Sequence, residues 1–191
     1  MAFDSSGFLF KGGSVWILLK WARKQLKKTS RAFYKVHIAT DLNSAAVLAI
    51  KLSKAPTHDL KIAWRLVKSL GLRCLSTLKR IYGDKAYTDF TLYKHLRKHS
   101  VQLTVEPRSN ATDKGTNSFH DKNLRLYHNS PGLWKKTHRH GQKAIVERVF
   151  GAVKSKPIPL SARRAKNKRK QLIMKFFVYN FNLLLELENL R

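Results

Sequence analysis

Apolar and polar residues along the chain change period several times, and each change marks an element. The opening "MAFDSSGFLF" reads as a strand that ends in a turn at Gly7 or at Gly12-Gly13. "VWILLKWARKQLKK" (15–28) is a short apolar run with a basic tail. Residues 32–53 hold two further strands, because "FYKVHIAT" is rich in aromatic and β-branched residues and "DLNS" supplies turn chemistry through Asp41. Next, Ile62, Leu66, Val67 and Leu70 recur at helical spacing, with Asp59 as the expected N-cap and Gly71 as the expected stop. "TLKRIYGDKAY" predicts a strand ending at Gly83-Asp84, "TDFTLYKHLRKHS" a helix, and "VQLTVEP" a strand stopped by Pro107. Strands, helix, strand, helix, strand is the order of a mixed α/β sheet.

Beyond Pro107 the pattern weakens. Residues 107–138 are polar throughout and predict a long loop or insertion. A helix covers 140–154, and "KSKPIPLSARRAKNKRK" (154–170) reads as a proline-broken basic linker. An apolar helix closes the chain over about 168–190. Its stripe of Leu172, Phe176, Asn180, Leu183, Leu184 and Leu187 predicts packing against the core.

Length and composition fit a single domain over 1–191 with a proper core: the chain has 191 residues, 43% of them hydrophobic. Lysines and arginines number 39 against 11 acids, a net charge of +28. Such a charge attracts polyanions, so nucleic acid is the expected partner, with an anionic membrane surface as the rival. The single cysteine, Cys74, excludes an internal disulfide and a cysteine-rich zinc site. The early acid in "MAFDSSG" argues against a signal peptide. "FFVYNFNLLLEL" is too short for a membrane span, which needs about 20 residues. An intracellular, soluble protein is expected.

Against that basic background the acids stand out. On a helix at 100° per residue, His140, Lys143, Glu147 and Lys154 share one arc of about 60°. Ile145, Val146, Val149, Phe150 and Val153 fill the opposite side. Glu147 is therefore expected on the open face, between lysines. A surface lysine–glutamate pair explains it blandly. Asp4 on the first strand and Asp84 at the end of "RIYG" add a second reading, since ligand sites in α/β sheets collect at strand carboxyl ends. Three hard oxygen donors there suit Mg²⁺ or Mn²⁺. Lys85 and Tyr87 flank Asp84 and suit either phosphate contact or packing. His138 and His140 lack further zinc ligands nearby. Trp134 is read as a core or loop anchor, with base stacking as the alternative. The cations from Arg163 to Lys170 suit a DNA backbone.

Four pieces, in order, carry a resemblance: "FDSSG" (3–7), "THD" (57–59), "GDKAY" (83–87) and "VERVFGAVK" (146–154). With them the chain resembles the catalytic domain of DDE-type insertion-sequence transposases, which have an RNase H-like fold. The most specific piece is the last, in which Lys154 follows Glu147 by seven residues. The resemblance implies a mixed sheet flanked by helices, with Asp4, Asp84 and Glu147 as the catalytic, metal-binding triad for Mg²⁺ or Mn²⁺. It implies DNA as partner, with Lys85, Tyr87, His140, Lys143 and Lys154 as DNA contacts, and a homo-oligomer on DNA in a prokaryotic cytoplasm, associated with the nucleoid. The family commonly has arginine four residues before the glutamate and tyrosine three before that, where this chain has Lys143 and His140. The family also usually has an N-terminal DNA-binding region, whereas three residues precede Asp4, so that region is expected to be missing. The rival readings are a basic nucleic-acid binder without catalysis and a decayed transposon remnant.

Overall fold

The computed structural model describes residues 1–10, 33–54, 59–108, 111–112, 115, 119–156 and 159–189. The apolar run 15–28, the Gly12-Gly13 turn, and Thr57 and His58 of "THD" lie outside them. Five strands form one sheet: β1 (Ala2–Leu9), β2 (Phe33–Thr40), β3 (Val47–Ser53), β4 (Arg80–Gly83) and β5 (Gln102–Val105). Their spatial order is β3-β2-β1-β4-β5. The first three are an antiparallel meander, with β1 and β2 in continuous register from Ala2 opposite Thr40 to Leu9 opposite Phe33. β4 runs parallel to β1, and β5 runs parallel to β4. Helices flank this mixed α/β sheet in an RNase H-like arrangement: α1 (Asp59–Thr77), α2 (Phe90–Lys98), α3 (Phe119–Asn129), α4 (Pro131–Thr137), α5 (Ala144–Ser155) and α6 (Ala165–Glu188).

Alternation along β1 explains the two cores. Phe3 points into a cluster with Ile62, Leu66 and Leu92, beneath α1 and α2. Ala2 and Phe8 point to the other face, where Val149, Phe150 and Val153 of α5 and Leu172 and Phe176 of α6 cover the sheet. Phe8, Phe150 and Phe176 form an aromatic triangle with centroid separations of 6.3, 5.7 and 6.1 Å. That triangle fixes α5 across β1. At the sheet edge, the Asn180 side chain accepts from the Val47 N–H at 2.9 Å and donates to the Val47 carbonyl at 2.9 Å.

The strands of the sequence reading are present, and β1 runs through Gly7 without turning there. Four features differ from the expectations. Helical structure resumes after Gly71 and continues to Thr77; Gly71 itself sits at φ +72°, which glycine adopts at no steric cost. The polar stretch after Pro107 contains α3 and α4, held by a few large groups: Leu124 and Trp134 are buried, and the Trp134 Nε1–H donates to Asn123 Oδ1. His140–Lys143 form a 3₁₀ turn ahead of α5, entered through Arg139 at φ +49°, so His140 is not on the helix of Glu147. The expected linker becomes helical at Ala165. Among the described residues no helix is long and apolar enough to cross a membrane.

Candidate active site

Strand register brings the first two acids together. Ala2 of β1 stands level with Tyr82 of β4, on parallel neighbours. Asp4 and Asp84 each lie two residues further on, and Asp84 keeps an extended backbone (φ −78°, ψ 165°). A period of two puts both on the sheet face of Ala2 and Tyr82, the face that α5 covers. Adjacent strands are spaced by about 4.8 Å, so the two aspartates are close neighbours where β4 ends. Beyond Gly83 β4 has ended while β1 continues. The gap is a cleft of about 420 Å³ lined by Asp4, Ser6, Lys35, Asp59, Asp84 and Tyr87, among others.

Each acid has a different environment. The Asp84 carboxylate caps the 3₁₀ turn Lys85–Tyr87, accepting from the Lys85 N–H at 2.7 Å. Asp4 is half-buried, and burial pushes its carboxyl above the usual range. The charges of Asp84 and Glu147 push the same way, opposed by the Ser5 backbone hydrogen bond and the Lys143 ammonium. Glu147 is within electrostatic reach of Asp4 but stands on the exposed side of α5, 63% exposed, with Lys143 Nζ 3.7 Å from its Oε1. Asp59 opens α1, and its carboxylate takes an ion pair from Lys35 at 2.5 Å. Sequence reasoning missed Lys35, because a lysine in an amphipathic strand reads as solvated surface.

The structure thus sets Asp4 and Asp84 on one sheet face where β4 ends and leaves Glu147 at its margin. Among the described residues no three His, Cys, Asp or Glu side chains are gathered as a ready metal site. The donor chemistry nonetheless fits a divalent cation. All three donors are hard oxygens, and Asp4 carries the mutual repulsion of carboxylates that such an ion relieves. The Lys143–Glu147 pair is too long and exposed to hold the Glu147 carboxylate firmly.

The predicted DNA contacts divide. Lys154 is exposed, donates to Ser6 Oγ at 2.7 Å and lies 5.4 Å from the Phe8 ring centroid. It therefore stands over β1 two residues past Asp4. Lys85 is exposed, next in sequence to Asp84. Lys143 faces Asp4 and Glu147. Tyr87 is only 1% exposed and packs 6.1 Å from the Phe3 ring, so its bulk goes to the core. His140 packs against Trp134 at 5.4 Å, and burial lowers its imidazole below the usual range. Trp134 is fully buried and stacks on His138 at 4.7 Å, as an anchor and not a base platform.

No curated protein sequence matches the chain. Among solved structures it is similar to one described as the cryoEM structure of the simian T-cell lymphotropic virus intasome in complex with PP2A regulatory subunit B56 gamma. Identity is 17%, over 69% of this chain and 41% of that one, with a TM-score of 0.34. The chain spans about two fifths of that neighbour's length, and a likeness this loose carries no argument. The family described as "Transposase DDE domain" matches residues 1–181, from the first strand into α6. With Asp4 and Asp84 level on adjacent strands and Glu147 on the covering helix, the chain belongs to the transposase DDE domain family.

Proposed function

We propose that the chain is the catalytic domain of a DNA transposase that cuts phosphodiesters at the ends of an insertion element and joins the freed 3′-OH to target DNA. One observation carries the reading: parallel register sets Asp4 and Asp84 level, beneath the helix that bears Glu147 and Lys154. Asp4, Asp84 and Glu147 would hold Mg²⁺ or Mn²⁺, which when bound supplies Lewis-acid activation of water and neutralises charge on the phosphoryl oxygens.

The chain's own residues supply the rest. Lys154, tethered to Ser6, offers an ammonium to a backbone phosphate next to Asp4. Lys85 does so beside Asp84. Lys143 stabilises the acids while the site is empty of DNA, because its charge opposes their mutual repulsion. Lysine at this position lacks the forked, bidentate grip of an arginine, so it holds a phosphate as a point charge. The +28 balance supplies affinity for the duplex without reading its sequence. Two or more copies acting on paired DNA ends complete the reading.

The test uses the purified chain with a nicked-circle assay in Mg²⁺, in Mn²⁺ and in EDTA. Metal-dependent nicking that Asp84→Asn abolishes, with DNA binding retained, is the expected result. Equal nicking by Asp84→Asn and wild type would refute the site. Absence of nicking by wild type under every metal condition would favour the rival, a basic binder without catalysis.

A further inference from the structure

The closing helix is apolar on two opposite sides. At 100° per residue, the buried Leu172, Phe176 and Tyr179 share one side, which packs on the sheet. Seven of the eleven large apolar side chains exposed among the described residues also lie on this one helix. The most prominent are Met174 (58%), Phe177 (63%), Phe181 (53%) and Leu184 (56%). They fall in an arc of about 80°, roughly opposite the buried side. Their spacing is three, four, three. Extended by four at each end, it reaches Lys170 and Glu188, both exposed and both in the same arc. Lys170, Met174, Phe177, Phe181, Leu184 and Glu188 therefore form an uninterrupted 4-3-4-3-4 seam, the period of a coiled coil. A monomer's surface helix needs no second stripe of this kind.

We propose that this seam is the interface of a two-fold symmetric dimer, in which α6 of a second copy packs antiparallel along it. The sequence of the seam is self-complementary about its midpoint. Antiparallel pairing sets Lys170 against Glu188 of the second copy, Met174 against Leu184, and Phe177 against Phe181. Each contact occurs twice, as an isologous interface requires. A parallel pairing would instead oppose lysine to lysine and glutamate to glutamate. The four apolar seam residues with the flanking Ile173 and Leu185, at roughly 100 Å² each, expose about 600 Å² per copy. That approaches the about 800 Å² per partner of a stable interface. Two chains of +28 repel one another, so association strengthens as salt or bound DNA screens that charge. The inference stands on α6 alone and not on the chemistry of the carboxylates.

The test is sedimentation equilibrium of the full chain at 1 M salt, where the Debye length is about 3 Å. Wild type is expected to be a dimer and Phe177→Glu a monomer, at least tenfold weaker in association, with unchanged circular dichroism because the residue is exposed. Orientation is read by oxidising an equal mixture of Phe177→Cys and Phe181→Cys chains, each in a Cys74→Ser background. The antiparallel seam yields the mixed covalent dimer in preference to either homodimer. A monomeric wild type at 1 M salt, its seam covered by another segment of the same chain, overturns the proposal. So does a Phe177→Glu chain that dimerises as well as wild type, or preferential Phe177→Cys homodimers.

Discussion

His37 makes the stability of this fold depend on pH in a direction that two competing effects dispute. The side chain is fully buried on β2. Its Nε2 lies 2.8 Å from Ser53 Oγ, while Nδ1 is 3.6 Å from Asp59 Oδ1. That second distance is too long for a hydrogen bond, and Nδ1 is left without one. Burial lowers the imidazole from 6.5 to about 4, against the upward pull of Asp59 and with help from Lys35. Between those two values the unfolded chain binds a proton that the folded chain refuses. Stability therefore rises with pH across that window and is lost as pH falls through it. From pH 8 to pH 5 the loss attributable to His37 works out at about 2 kcal/mol, or about 4–8 °C in Tm for a chain of this size. The assay is denaturant unfolding of wild type and His37→Gln at both pH values. The difference between their unfolding free energies cancels the carboxylates common to both. It should shift by about 2 kcal/mol against wild type on acidification. A shift in favour of wild type would mean that the Asp59 ion pair outweighs burial. No shift would mean that the buried imidazole titrates like a free one, and either result refutes the reasoning.

Phe150→Ala should cost about 3–5 kcal/mol, because it empties the aromatic triangle that seats α5, and urea unfolding measures it. Asp4→Asn should raise Tm in EDTA, since burial and two neighbouring acids already disfavour its charge, and should remove any Mg²⁺-dependent rise in Tm seen in wild type. DNA affinity should fall steeply with salt, by about 0.9 in log–log slope per phosphate neutralised, and Lys154→Gln should lower that slope by about 1. Fluorescence anisotropy over a salt series reads both.

Much of the sheet was legible because its strands carry period-two signals bounded by turn residues, as in "FYKVHIAT" and "DLNS". The placement of Asp84 at the end of β4 was legible for the same reason, whereas Asp4 lies inside β1, near its start. Their level register was not, since the pairing of Ala2 with Tyr82 spans eighty residues of chain. Polar residues hid α3 and α4, because Leu124 and Trp134 are the only large apolar side chains buried among the described residues of the two helices. His140 was misplaced because a uniform 100° wheel cannot anticipate a left-handed residue at Arg139 followed by a 3₁₀ turn. Gly71 read as a helix stop, and a chain that kinks there and resumes looks the same in sequence. The exposed Leu184 and Leu187 of α6 were read as core, because hydrophobic spacing does not reveal which face the sheet takes.

The Asn180 amide has a further consequence. Among the described residues β3 is the last strand on its side of the sheet, and such a strand offers its outward N–H and C=O groups to any extended chain that approaches. By taking both the N–H and the carbonyl of Val47, Asn180 occupies the place that the first rung of an added strand would need. The helix thereby guards the sheet against edge-to-edge polymerisation. Where a polyanion concentrates copies of a chain of net charge +28, that guard keeps crowding from becoming aggregation.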